Sequence, residues 1–160
     1  MKIKSFISLG DSIDIFEFLS KVMDPKEVKD LITNHVPRAE IVFSRDSSKS
    51  ISSVMIFSQI NDPYDIDIHD GPISPDPFGK YIYISTVYID RNNRNTSFNN
   101  FKDSIIWNLF KQAAKTCPGA IRIAFKRRDV SRDLRRFHII ELKDNKNVQR
   151  NKHITSLCYN

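Results

Sequence analysis

The chain has 160 residues, of which 40% are hydrophobic and 28% are charged, and it carries a net charge of +6. This composition is typical of a globular protein and excludes wholesale disorder, and the length predicts a single domain over residues 1–160. A domain of this size buries roughly 70% of its unfolded surface, so its core needs no disulfide support.

Features of the sequence also predict where the protein is found. Cys117 and Cys158 form no metal or redox motif, and we expect free thiols in a reducing compartment. The N-terminus does not resemble a signal peptide, because Asp11 and Asp14 interrupt its short apolar stretch. No apolar run reaches the length of a membrane span. We therefore expect a cytoplasmic or otherwise intracellular protein.

The first forty residues predict a strand and two helices. The segment "KIKSFISL" alternates apolar and polar residues, as a strand does. The segment "IDIFEFLSKVM" predicts a helix with an apolar face at Ile13, Phe16, Leu19 and Met23. A second helix should begin at Asp24 and Pro25, the residue types preferred at a helix start. Its inner face is expected to hold Val28, Leu31, Ile32 and His35.

The middle of the sequence predicts a hairpin, a long loop and a strong strand. "AEIVFSRD" and "ISSVMIFSQI" read as two strands joined by the polar "SSKS". The loop from Asn61 to Phe78 holds five aspartates and no Lys or Arg. Within it, Asp65, Asp67 and His69 have residue types that bind divalent metals, but turn-forming aspartates explain them better, and no metal site is predicted. The strand from Tyr81 to Asp90 is rich in β-branched and aromatic residues.

The last third of the sequence predicts the longest helix and three more strands. The helix runs from about Asn99 to Thr116, and its sheet-facing side holds Phe101, Ile105, Leu109 and Ala113. "AIRIAF" is a strand with Ile121, Ile123 and Phe125 on one face. "VSRDLRRF" is a short helix, and "HIIEL" and "HITSLCYN" are the final strands. The order predicts an α/β fold with a mixed, mainly antiparallel sheet and helices on both faces.

The junction "IDRNNRNTSFNNF", residues 89–101, leads from the strongest strand through a basic turn into the longest helix. This order of elements resembles the GCN5-related N-acetyltransferase (GNAT) family over essentially the whole chain. In that family the strand splays from its neighbour, and acetyl-CoA lies in the gap with its amide chain bonded to the strand backbone. A turn of the form R/Q-x-x-G-x-G/A then holds the pyrophosphate, because backbone amides and the helix dipole favour an anion there.

On this sequence the arginine of that turn falls on Arg94, and its two glycine positions fall on Ser97 and Asn99. Serine and asparagine are good N-caps, and their side chains occupy space that a phosphate oxygen would need. The resemblance therefore implies a weakened cradle for acetyl-CoA or another acyl-CoA. The residues that it implies for cofactor binding are Val87, Tyr88, Ile89, Arg91, Arg94, Asn95, Thr96, Ser97, Phe98, Asn99 and Asn100.

A second family motif, Y-x-K-x-G-F, falls on the predicted short helix with Leu134 at the tyrosine position and His138 at the glycine position. Leucine cannot donate the proton that the tyrosine gives to the CoA thiolate. The resemblance implies an acyl-CoA-dependent N-acyltransferase with an amine acceptor. Toxin-activating acyltransferases are similar in topology and also lack the glycine-rich turn. No catalytic base is identified, and the candidates by position alone are Tyr83, Ser85 and Asp90.

A basic segment supports a different hypothesis. Residues 122–136 hold seven Lys or Arg side chains against two aspartates, and Arg132, Arg135 and Arg136 share one face of the predicted short helix. The alternative function is a catalytically inactive GNAT-like module that binds a protein or nucleic acid. The polyanion would contact Lys126, Arg127, Arg128, Arg132, Arg135 and Arg136. A solvated cationic face with local aspartate partners explains the segment equally well.

Overall fold

The computed structural model describes residues 3–4, 8–36, 39–63, 73–90, 105–126, 136–143, 147–148 and 157–158. The strands of this part are β1 Ile3–Lys4, β2 Glu40–Arg45, β3 Ile51–Ile60, β4 Tyr81–Ile89, β5 Arg122–Lys126, β6 Arg136–Lys143, β7 Asn147–Val148 and β8 Leu157–Cys158. The helices are α1 Leu9–Val22, α2 Pro25–Asp30, which continues into a π-helical turn at Leu31–His35, and α3 Ile105–Thr116.

The strands form one mixed sheet in which β1 to β6 lie side by side in sequence order. Neighbouring strands are antiparallel except β4 and β5, which are parallel because α3 connects them. The short strands β7 and β8 both pair with β6. The predicted mixed, mainly antiparallel sheet is confirmed, and so is the predicted hairpin of β2 and β3.

Helix α3 covers one face of the sheet, and the apolar residues between them form the α3-side core. On β3, Met55 and Phe57 belong to this core, because alternate residues of a strand point to the same face. Its helical members include Ile105, Leu109 and Ala113, as the sequence predicted. Phe101, the fourth residue predicted on that face, lies outside the described residues.

Helix α1 covers the opposite face and forms the α1-side core with Val54 and Ile56 of β3. The helix begins at a capping box in which Ser8 and Asp11 satisfy each other's backbone amides. Its buried residues are Ile15 and Leu19. Helices therefore lie on both faces of the sheet, as predicted.

Two details of the predicted helix faces are wrong. Ile13 is 60% exposed, because the side of α1 that meets the sheet is centred on Ile15 and Leu19, and Ile13 lies on a second apolar stripe. Ile32 is 44% exposed, whereas Leu31 beside it is buried. The start of α2 is confirmed: Asp24 caps it by accepting a hydrogen bond from the Lys26 amide at 2.8 Å.

Three predicted boundaries also change. The first strand is limited to Ile3–Lys4 among the described residues, since Ser8 already caps α1. Ile121 precedes β5 and is 39% exposed; its amide donates to the Lys80 carbonyl, and its carbonyl accepts a hydrogen bond from the Leu142 amide. Arg136 and Phe137, predicted to end the short helix, lie in β6, where Arg136 pairs with β8 and Phe137 with β5. The strand predicted at "HIIEL" is confirmed as part of β6.

Candidate functional site

The described ladder between the parallel strands β4 and β5 ends near the middle of β4. Their described ladder has four pairs and ends where Ile84 lies opposite Phe125. Beyond that pair, β4 continues to Ile89 against β3, whereas Lys126 at the end of β5 is paired with Phe137 of β6. Beyond the Ile84–Phe125 pair, the described part of β4 is paired with β3 and Lys126 of β5 is paired with β6, so no further described pair joins β4 to β5. We call this place the fork.

A β-bulge lies at the fork. The register of β4 against β3 passes from Ile84 opposite Phe57 to Thr86 opposite Ile56, so that it skips Ser85. The extra residue reverses the alternation of side chains: Ile84 and Val87 both contact the α3-side core. A bulge also bends a strand and increases its twist. The bulge lies one residue after the last described pair of β4 with β5.

The backbone of β4 beyond the bulge has a defined direction. The Asp90 amide donates to the Ser52 carbonyl of β3 at 2.8 Å. Because successive residues of a strand direct their amides to opposite sides, the N–H and C=O groups of Val87 point away from β3. The fork is the side to which they point. The strand can therefore offer Val87 backbone groups to an extended ligand with amide groups of its own.

The two faces of the sheet differ at the fork. On the face of α3 lie apolar side chains, including Val87 and Phe125. On the opposite face Thr86 is paired with Ile56 of the α1-side core, and Tyr88 packs against that core. Tyr83 lies on the same face and is 5% exposed. Among the described residues, Tyr83, Thr86 and Tyr88 thus carry hydroxyl groups on the face opposite α3.

An aromatic stack supports β5 next to the fork. The His138 ring stacks on the Phe125 ring with centroids 5.4 Å apart and planes 22° apart, and Phe110 of α3 lies 6.2 Å from Phe125 on centroids. His138 is 7% exposed. The sequence analysis placed His138 both at the glycine position of the second family motif and at the start of the predicted strand "HIIEL". The structure places Arg136 to Ile139 in β6, so this part of the motif lies on a strand and not on a helix.

The predicted cofactor residues are described only in part. Val87, Tyr88 and Ile89 form the end of β4; the first and last pack toward α3 and Tyr88 toward α1. The remaining predicted residues of the turn, Arg91, Arg94 and 95–100, lie outside the described residues. Tyr83 and Ser85 flank the fork, whereas Asp90 follows β4 beside Ser52.

The predicted polyanion site is also described only in part. Lys126 ends β5, and its ammonium lies 5.6 Å from the centroid of the Phe137 ring. Arg136 begins β6, so the predicted helical face that it shares with Arg132 and Arg135 is wrong for this residue. Arg127, Arg128, Arg132 and Arg135 lie outside the described residues.

A charged cleft lies away from the fork, between α1 and the turn from β2 to β3. It has a volume of about 260 Å³, and its polar lining includes Asp14, Lys49 and Arg45. The Arg45 guanidinium donates hydrogen bonds to the carboxylates of Asp11 and Asp14 and to the Lys49 carbonyl, each at 2.7 Å. The hydrogen bonds to Asp11 and then to Asp14 raise the pKa of Arg45. Sequence reasoning missed this cluster, since its members are far apart in the chain.

The Asp65, Asp67 and His69 set lies outside the described residues, and the described ranges contain no cluster of three His, Cys, Asp or Glu side chains suited to a metal. None of the helices in those ranges is long and apolar enough to cross a membrane.

Comparison with known proteins identifies the fold. No family model matches the sequence, and no curated protein matches it. Among solved structures, the chain is similar to a GphF GNAT-like decarboxylase in complex with isobutyryl-CoA, with a TM-score of 0.52, 15% identity, and coverage of 78% of this chain and 65% of the other. Our chain thus spans slightly less than two thirds of that protein.

Two other solved structures agree. A GNAT-family acetyltransferase from Staphylococcus aureus Mu50 has a TM-score of 0.51 at 11% identity, over 79% of this chain and 72% of that one. The loading GNATL domain of CurA from Lyngbya majuscula has a TM-score of 0.50 at 13% identity, over 78% of this chain and 63% of the domain. The chain therefore has the GNAT fold.

Proposed function

We propose that the chain is an acyltransferase that takes its acyl group from an acyl-CoA and transfers it to an amine. The observation that carries the proposal is the fork: the described pairing of β4 with β5 ends at Ile84 and Phe125, whereas β4 continues beside β3 to Ile89. Such a gap exposes strand backbone to a ligand that can complete the ladder. The similar structures, one of which contains isobutyryl-CoA, support the same ligand class at the level of fold.

The residues at the fork fit the amide-bearing chain of CoA. Val87 directs its backbone N–H and C=O groups to the open side of β4, and an extended amide chain can exchange hydrogen bonds with such groups. The phosphates would then extend beyond Asp90, toward the turn with Arg91 and Arg94. Arginine binds phosphate through a planar set of donors.

The chemistry requires an amine beside a thioester. Bound acyl-CoA would supply the thioester, whose acyl group passes to the amine as the C–N bond forms, the C–S bond breaks and the proton of the amine ends on the CoA thiol. Tyr83, Thr86 and Tyr88 make the face opposite α3 the more polar of the two at the fork, although Tyr83 and Thr86 are buried and do not form an open surface. An apolar side chain offers an amine no hydrogen bond, so the α3 face is the less suitable approach.

A pair of variants at one residue tests the proposed binding mode. Val87→Pro removes the N–H that points into the fork but leaves the ladder with β3 intact, because that ladder does not use this amide. Val87→Ala keeps the amide and is the matched control. We expect CoA and acetyl-CoA, measured by isothermal titration, to bind the proline variant at least roughly tenfold more weakly than the alanine variant, the effect of losing a desolvated hydrogen bond.

Release of CoA thiol from acetyl-CoA, with lysine peptides and polyamines as acceptors, then tests the transfer. Turnover above the rate without protein would support an acyltransferase. Binding without turnover for any acceptor would favour the catalytically inactive module. If neither CoA nor acetyl-CoA bound the parent protein at low salt, the proposal would be wrong.

A further inference from the structure

Two turns meet at the end of the sheet where β4 and β5 begin, at the opposite end of their ladder from the fork. One turn leads into β4, and the other joins α3 to β5. The side-chain amide of Gln59 links them, because its nitrogen donates to the Gly79 carbonyl at 2.9 Å and to the Pro118 carbonyl at 3.0 Å. The Ile121 amide also donates to the Lys80 carbonyl at 2.9 Å. The two turns therefore form one surface.

Exposed apolar side chains gather on these two turns. Phe78 is 84% exposed, and Ile121 is 39% exposed. Pro75, Pro77 and Pro118 are exposed as well. We call these five residues the Phe78 surface. A single exposed hydrophobic residue is ordinary in a globular protein, whereas several that lie together mark a place where another molecule binds.

The turn that carries Phe78 satisfies its own backbone donors. The Asp76 amide donates to the Gln59 carbonyl at 2.8 Å. The Phe78 amide donates to the Asp76 carboxylate at 2.8 Å, and the Gly79 amide donates to the Asp76 carbonyl at 2.9 Å. The two prolines of the turn have no amide hydrogen. An apolar contact can therefore cover this turn without leaving one of these N–H groups unsatisfied, and the fixed backbone lowers the entropy lost on binding.

The charged residues of the turn are arranged evenly about Phe78. Asp76 lies two residues before it and is partly exposed, and Lys80 lies two residues after it and is exposed. A twofold contact places the same surface of one copy against that of another. With the two Phe78 rings at the twofold axis, Asp76 of each copy lies on the side of Lys80 of the other copy. The surface is therefore complementary to itself in charge.

We infer that the Phe78 surface is a contact between two copies of this chain, in which the Phe78 rings pack at a twofold axis and Asp76 faces Lys80 of the other copy. The inference does not depend on the proposed acyltransferase activity, because the fork lies at the other end of the β4–β5 ladder. Five side chains from each copy make an interface smaller than that of a permanent dimer. We therefore expect a weak dimer, with a Kd of roughly 10–100 µM.

Sedimentation equilibrium of the parent protein tests the inference. Between about 5 and 500 µM, the average mass should rise from that of one chain toward that of two, because association follows mass action. Phe78→Ser should weaken the dimer at least roughly tenfold, since a central aromatic side chain contributes much of the binding energy of an interface. Leu9→Ser is the matched control, because Leu9 is 80% exposed but lies on α1. This control should dimerise as the parent does.

A pair of charge reversals tests the twofold arrangement. Lys80→Glu places a negative charge opposite Asp76 and should weaken the dimer several-fold. Lys26→Glu makes the same change at an exposed position of α2 and should leave the dimer unchanged. All four variants should keep the circular dichroism spectrum of the parent, because the substituted side chains are exposed.

Three outcomes would overturn the inference. A parent protein that stays monomeric up to about 500 µM, well above the expected Kd, would leave the Phe78 surface to a partner of another kind. A dimer that persists in Phe78→Ser would use a different surface. Equal weakening by Phe78→Ser and Leu9→Ser would indicate association through exposed apolar side chains in general.

Discussion

Cys117 shows how burial determines the chemistry of a single residue. It follows the last turn of α3, is 3% exposed and belongs to the α3-side core. Burial, and secondarily the charge of Glu40, raises the pKa of the Cys117 thiol from 9.0 to about 12. The thiolate is the reactive form of cysteine, so this residue is unsuited to nucleophilic catalysis.

We expect the Cys117 thiol to be inert in the folded protein. In a Cys158→Ser background, a disulfide reagent such as DTNB at neutral pH should label Cys117 only on unfolding, whereas the denatured chain should react at once. The raised pKa of Cys117 also makes the free energy of unfolding depend on pH. From about pH 9 to 12 the unfolded thiol loses its proton before the folded one, so the contribution of this group to stability falls as pH rises. Rapid labelling of the native protein would contradict the burial of this side chain.

At the scale of the element, turns set the ends of β4. Before it, the Asp76 amide donates to the Gln59 carbonyl at 2.8 Å, and the Gly79 amide donates to the Asp76 carbonyl at 2.9 Å. This turn brings Gly79 so close to β3 that an added Cβ would overlap the Ile60 carbonyl. Gly10, in the first turn of α1, has its nearest neighbour, Ser8 Oγ, at 3.9 Å.

Alanine substitutions at these two glycines should have opposite effects on stability. Gly10→Ala should stabilise the protein by about 0.5–1 kcal/mol, because alanine is the better helix residue and has room there. Gly79→Ala should destabilise it by about 1–3 kcal/mol, since backbone must move to admit the methyl group. Denaturant unfolding of both variants measures the difference. A Gly79→Ala variant as stable as the parent would show that the turn does not contact β3 so closely.

At the scale of the whole molecule, the charge of +6 favours anionic ligands. The sequence that follows β4 has basic residues at Arg91 and Arg94 but no glycine up to residue 100, so its binding of phosphate should depend on charge more than on backbone fit. We expect the affinity for acetyl-CoA to fall several-fold when salt rises from low concentration to about 0.5 M, because salt screens exposed charges. Isothermal titration at the two salt concentrations gives the result. Tight binding that salt does not change would indicate an intact pyrophosphate cradle.

The sequence by itself predicted what depends on neighbours along the chain. Asp24 and Pro25 marked the start of α2, because capping is a local interaction. The spacing of Ile105, Leu109 and Ala113 predicted the buried face of α3, since helical periodicity follows from helix geometry alone. The order of strands and helices was enough to predict the α/β class and the resemblance to the GNAT fold. The turn at 91–100 and most of the basic segment stay predictions.

Only the tertiary structure determined the candidate site. The fork and the bulge at Ser85 depend on the register of β4 against β3 and β5, strands from different parts of the chain. A bulge of one residue reverses which side chains face α3, and strand alternation read from the sequence contains no sign of it. His138 likewise became part of an aromatic stack only when β6 paired with β5. The fork, the bulge and the aromatic stack depend on pairing between segments that are far apart in the chain. Local sequence preferences do not indicate that pairing.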